Sequence, residues 1–171
     1  MSFRMIEMKI DNTIIDDAQR KLQSNKIINE SRESKFGSDD SRILIGYIGE
    51  RLVMNYLGIE IDSDDYNYDL MSNKGKRLEV KTVSCKFKPK DNYLCAVNSH
   101  DPDTIHKQKA DYYIFVRVLF DLSIGWILGY IPCDEFFEKG KYIEKGTDFG
   151  KFKFIKANAT VIEINQLNRF N

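Results

Sequence analysis

Apolar positions recur at helical spacing over Asp11–Asn29, where Ile14, Ile15, Ala18, Leu22, Ile27 and Ile28 carry the pattern. Asp16 and Asp17 lie early in that stretch and Lys21 and Lys26 late, which suits the helix dipole and predicts a short amphipathic helix. The polar run Ser31–Ser41, broken by Gly37, reads as a linker between this N-terminal helical arm (1–37) and a core (38–171). Ser38, Asp39, Asp40 and Ser41 then offer an N-cap and first-turn negative charge to a helix running to Leu57, with Gly58 placed to end it. Ile43, Tyr47, Glu50, Met54 and Leu57 share one stripe of that helix. Glu50 interrupts an apolar face, so its carboxylate must be paired, bind a cation or sit at the edge of the buried strip. A salt bridge to a neighbouring lysine is the plain alternative to a functional role.

The pattern then changes to that of strands. Ile59–Ile61 is placed to begin a sheet. Tyr68–Met71 is apolar around Asp69, Ser72–Gly75 is rich in turn formers, and Arg77–Val83 alternates, which together predict a β-hairpin. On its second strand Glu79 and Lys81 project to one face, while Leu78, Val80 and Thr82 project to the other. A tight turn between them puts Asp69 opposite Glu79, within the ~5 Å of a cross-strand pair. Tyr93–Val97 is a shorter strand candidate. Asp111–Phe120 and Ser123–Ile131, joined at Asp121 and Leu122, are the strongest strand signals and are expected inside the sheet. Pro132–Glu138 can start a helix docked by Phe136 and Phe137, with Trp126 in the core rather than on a base-stacking surface. Lys139–Gly150 reads as a loop, and Phe152, Phe154, Ile155 and Ala159–Ile164 as late strands or extended segments over the core.

Composition sharpens this picture in three respects. With 171 residues, 42% of them hydrophobic, the chain suffices for one domain with a real core. No apolar run approaches the ~20 residues of a membrane span, and the N-terminus lacks a signal-peptide pattern, so a cytoplasmic protein with no membrane partner is expected. Cys85, Cys95 and Cys133 form no C-x-x-C pair and are expected reduced and buried. His100, Asp101, Asp103 and His106 have no zinc-site spacing and fit a polar loop better. Basic and acidic residues balance at 26 each, but the charge is uneven. Lys74, Lys76, Arg77, Lys81, Lys86, Lys88 and Lys90 stand against Glu79 alone, a net +6 beside the hairpin, whereas Glu60, Asp62, Asp64 and Asp65 make the approach to Asp69 acidic. Taken singly, each run is an ordinary solvated surface.

Asp69 followed by Glu79-Val80-Lys81 on the next strand resembles the signature of the PD-(D/E)XK nuclease superfamily, which includes restriction endonucleases, recombination exonucleases and junction resolvases. Tyr68 stands where the superfamily usually has proline. The resemblance covers roughly half the chain, from about Ser38 to Ile131. It implies an α/β fold with a restriction-endonuclease-like core, a central mixed β-sheet flanked by helices, and a C-terminal extension to residue 171. It further implies a site in which Asp69 and Glu79 hold Mg²⁺, or Mn²⁺ in its place, with the Val80 carbonyl as third ligand. Lys81 then positions the attacking water and stabilises the phosphate oxyanion, an electrostatic role rather than that of a base. Glu50 occupies the place where such proteins often carry a helix glutamate, and would hold a second ion or orient a water. Lys74, Lys76, Arg77 and Lys86 are the expected contacts to the sugar-phosphate backbone. Gln108 is a further substrate contact, with His106, Lys107 and Lys109 behind it.

The function expected is therefore a Mg²⁺-dependent nuclease acting on DNA, as an endonuclease. One such site cuts one strand, so double-strand cleavage calls for a homodimer. Abundant Lys, Asn and Ile hint at a low-GC source, a phage, which would place the protein in its host's cytoplasm. Two rivals stand beside this reading: a catalytically inactive nucleic-acid-binding or assembly module on the same fold, and a small α+β interaction protein whose acids face solvent.

Overall fold

The computed structural model describes residues 4–29, 40–63, 68–98, 110–148 and 157–171, with side chains described to residue 25 in the first of these segments. The elements run β1 (Ile6–Lys9), α1 (Asn12–Asn29), α2 (Asp40–Leu57), β2 (Leu70–Met71), β3 (Arg77–Cys85) and β4 (Leu94–Asn98). They continue with β5 (Tyr112–Leu119), β6 (Ile124–Pro132), α3 (Cys133–Lys139), β7 (Lys141–Ile143) and β8 (Ala159–Glu163), and a short 3-10 helix at Ile164–Gln166. The fold is α/β. A mixed five-stranded sheet has the order β1-β6-β5-β3-β2, and a three-stranded sheet has the order β4-β8-β7.

β5 and β6 are nearly continuous apolar runs, buried on both faces, and take the interior of the large sheet as their composition requires. β3 runs parallel to β5, with Glu79 beside Tyr113 and Lys81 beside Phe115; the other neighbours in this sheet are antiparallel. Alternation along β3 and β5 makes two cores. On one face Leu78, Val80, Ile114, Val116 and Val118 pack with Ile14 and Ala18 of α1 and Ile48, Leu52, Val53 and Met54 of α2. On the other, Tyr113, Phe115, Trp126 and Leu128 pack with Phe136 of α3 and with Cys95, Val97 and Ile162 of the small sheet. Trp126 is buried and its indole N–H donates to Glu7 Oε2 at 2.8 Å. All three cysteines are free and buried.

Two local devices bring α2 onto the sheet. Gly58, at φ +67°, closes the helix, and the Ile59 amide returns to the Met54 carbonyl. That hydrogen bond removes Ile59 from any ladder, so the strand expected over Ile59–Ile61 does not form; Ile59 is buried against the helix end and Ile61 is 82% exposed. In the middle of α2, Gly49 lies so near β3 that a Cβ there would fall 1.8 Å from Thr82 Oγ1. Only a residue without a side chain lets the two backbones come together at that point.

The N-terminal segment, expected as an arm, feeds the main fold. Ile6–Lys9 forms an edge strand on β6, Asp11 caps α1 by accepting the Ile14 amide at 3.0 Å, and α1 packs along α2. β1 and β7 are strands absent from the sequence reading. β7 falls inside the expected loop Lys139–Gly150 because its edge pairing to β8 supplies what three residues of weak pattern cannot. Most of the expected linker, the loop carrying His100, His106 and Gln108, and Phe152, Phe154 and Ile155 lie outside the described residues.

Candidate functional site

The hairpin forms as its turn chemistry dictates. Ser72 accepts the Gly75 amide through its carbonyl and the Lys76 amide through its hydroxyl, with Gly75 at φ +76°. The register pairs Leu70 with Leu78 and Met71 with Arg77, which carries Asp69 opposite Glu79. β2 is only two residues long, so past Leu78 it leaves β3 uncovered among the described residues. The Val80 amide faces that edge and donates to Asp69 Oδ2 at 2.7 Å. By strand parity the Val80 carbonyl looks out over the same edge.

Asp69 thus sits in the plane of the sheet, with a carboxylate on either side. Glu79 projects toward the face of Tyr113 and Cys133, and Lys81 Nζ reaches its Oε1 at 2.7 Å, as expected of i, i+2 neighbours on one strand face. Glu50, 8% exposed, comes from α2 on the other side. Asp69 is repelled by Glu79 and repels Glu50. Burial, then the Glu79 charge, push the Asp69 carboxyl up to about 6, against the pull of the Val80 amide, Lys81 and Lys21. Burial, then the Asp69 charge, push Glu50 up to about 7, with Lys21 opposing. The Cys133 thiol is raised to about 12 by burial and by the Glu79 charge.

Lys21 is the group that the sequence reading missed. Its ammonium lies 2.6 Å from Glu50 Oε2 and 3.0 Å from Asp62 Oδ2, and 4.7 Å from the centre of the Tyr47 ring. A signal was present: Lys21 follows Ile14 and Ala18 at 4, 3 spacing, so it continues the buried stripe of α1 just as Glu50 continues that of α2. A lysine and a glutamate on apposed apolar stripes are natural partners.

The expected phosphate contacts divide. Lys74 and Lys76 are exposed in the hairpin turn, and Lys86 is exposed just past the end of β3, 5.5 Å over the Phe87 ring. Arg77 is otherwise engaged: its Nε and Nη2 donate to the two oxygens of Asp111 at 3.2 and 2.9 Å, and its amide donates to Oδ2 at 2.8 Å. This clamp ties the start of β3 to the start of β5 and holds the Asp111 carboxyl down at about 2. Lys88 pairs with Glu7 at 3.4 Å. Gln108 falls outside the described residues.

Chemically, the edge of β3 offers hard carboxylate and carbonyl oxygens beside an ammonium group, a set suited to a hard divalent cation and a phosphate. Among the described residues no three acidic, histidine or cysteine side chains already surround one point. Glu50 and Glu79 each spend one oxygen on a lysine, and Asp69 spends one on a backbone amide. No protein-family model matches the chain, and no curated protein sequence matches it.

Proposed function

We propose that the chain is a Mg²⁺-dependent nuclease that hydrolyses phosphodiester bonds in DNA as an endonuclease, built on a restriction-endonuclease-like core. The observation that carries this reading is the position of Asp69: its carboxylate is held at the edge of β3 by the Val80 amide and feels the charges of Glu79 and Glu50, with Lys81 at hand. Burial is the larger part of the upward push on Asp69 and Glu50 and the neighbouring carboxylate charge the smaller; a bound divalent cation would offset both, and the hard oxygen donors suit Mg²⁺ or Mn²⁺. Asp69, Glu79 and the Val80 carbonyl would hold the ion. When bound, Mg²⁺ neutralises phosphate charge and acidifies a water.

The chain's own groups do the rest. Lys81 holds a non-bridging phosphate oxygen, and Glu79 fixes the Lys81 ammonium where that oxygen arrives. Burial of Glu50 and Asp69 keeps the local dielectric low, so each charge acts more strongly than in water. Lys74 and Lys76 at one end of β3 and Lys86 just past the other attract the backbone of the nucleic acid. Arg77, part of whose guanidinium is engaged by Asp111, lies at the same end as Lys74 and Lys76.

One observation favours a second reading, a binding module without hydrolysis: Lys21 and Lys81 already neutralise part of the acidic cluster from within. A single assay separates the two. Supercoiled plasmid and linear duplex are incubated with the protein and Mg²⁺, Mn²⁺ or EDTA. Cation-dependent nicking of the plasmid is expected; retention of DNA without cleavage under every cation supports the module, and neither binding nor cleavage removes both.

A further inference from the structure

The acids around Asp69 are more numerous than one small cation needs, and Glu50, like Glu79, has a resident ammonium partner. Glu50 is reached at 2.6 Å by Lys21, whose ammonium also lies 3.0 Å from Asp62 and 4.7 Å from the Tyr47 ring centre. Lys21 is held by more than charge. It comes from the buried face of α1, after Ile14 and Ala18, and Tyr47 is itself fixed by the Asn25 side chain, which donates to its hydroxyl at 2.6 Å. The half-buried ammonium thus has two carboxylates and an aromatic face around it.

We infer that Lys21 takes the place of a second metal ion: the site holds one divalent cation, at Asp69 and Glu79, while the Lys21 ammonium serves as fixed counter-ion to Glu50 and Asp62. The inference rests on the nuclease reading and narrows it to one-ion chemistry. Formal charge supports it. Glu50, Asp62, Asp69 and Glu79 contribute four negative charges, and Lys21 and Lys81 two positive ones, leaving −2. One divalent ion brings that to zero. A second would leave +2 beside Glu50, which is 8% exposed, and excess charge is costly where little water reaches it. Lys21 is in this account a positioning residue: it acts on the reaction through Glu50 and touches neither the ion nor the phosphate.

The test counts bound ions and needs no DNA. The full chain is titrated with Mn²⁺, with free Mn²⁺ followed by electron paramagnetic resonance and heat by calorimetry. Wild type is expected to bind one ion in the site, and Glu50→Gln to keep that ion with affinity changed less than about tenfold, the effect of roughly one screened charge at a distance. Lys21→Met, which exchanges the ammonium for a neutral chain of similar length, is expected to bind two. Lys21→Arg restores the positive charge and is expected to return the count to one, which separates an electrostatic role from a merely structural one. Two ions on the wild type, one of them lost in Glu50→Gln, would overturn the inference and leave the nuclease reading intact, as would a Lys21→Met variant that folds and still binds one. A wild type that binds no ion removes the nuclease reading, and this inference with it.

Discussion

The Val80 amide donates to Asp69 Oδ2 at 2.7 Å across the end of a two-residue strand. That bond locks an acid at the sheet edge where β2 has stopped, instead of letting it turn to solvent. Replacing Asp69 with Asn keeps the acceptor and removes the charge, so the fold is expected to survive while cation-dependent cleavage falls by about 10²-fold or more, the range of losing one preorganised electrostatic group. Thermal unfolding and single-turnover cleavage on the same preparation check both halves.

Glu50 and Asp69 also predict how stability depends on pH. Their folded values lie near 7 and 6, above ordinary values of 4.5 and 3.8, so between pH 4 and 7 the folded chain holds more protons than the unfolded one. Stability contributed by these groups is therefore greatest at low pH in that window and falls as pH rises, by several kcal/mol at most, since the two groups are coupled. Urea titrations at pH 5 and pH 8 in EDTA are expected to show the loss, Glu50→Gln to reduce it, and Mg²⁺ at pH 8 to recover part of it. A stability that rises through this window in wild type, and is unchanged in slope by Glu50→Gln, speaks against the repulsion described.

Asp111 has the opposite sign. Hydrogen bonds from the Arg77 side chain and amide lower its carboxyl to about 2, so what it contributes is present above pH 3.8 and disappears as pH falls through about 2. With both side chains partly open to water, Asp111→Ala is expected to cost only about 1 kcal/mol at pH 7. The difference from wild type should narrow in acid, to a fraction of its neutral value by pH 2.5, which urea midpoints at pH 7 and pH 2.5 will show.

Gly49 and Thr82 give a pair of substitutions with opposite outcomes. A Cβ on Gly49 meets Thr82 Oγ1 at 1.8 Å and Thr82 Cβ at 2.8 Å, so Gly49→Ala must push α2 off β3, at about 1–3 kcal/mol. Thr82 Oγ1 is buried and has no hydrogen-bond partner among the described residues, so Thr82→Val, of the same shape, is expected to stabilise by about 1 kcal/mol.

How much of this could be read from residues alone follows from where the pattern is strong. β5, β6, α2 and the hairpin announce themselves because each carries either a long apolar run or turn residues at fixed offsets, and their register then brings Asp69, Glu79 and Lys81 together. β1 and β7 escape because four or three residues at an edge owe their shape to the neighbour they pair with. Arg77 looked like one more member of a basic run; only the parallel pairing of β3 with β5 reveals that Asp111 waits beside it. Lys21 escaped because a late lysine on a helix has a ready explanation in the dipole, whereas its place on the buried stripe matters only once α1 is known to lie along α2.

On the proposed reading Lys81, held by Glu79, stabilises a phosphate during cation-dependent hydrolysis. The most direct measurement is single-turnover nicking of supercoiled plasmid in Mg²⁺ by wild type and by Lys81→Ala, prepared in parallel and matched for DNA binding. Wild type is expected to nick in a manner that EDTA abolishes, and Lys81→Ala to be slower by about 10²–10³-fold with DNA still bound. Equal rates in the two proteins would contradict it.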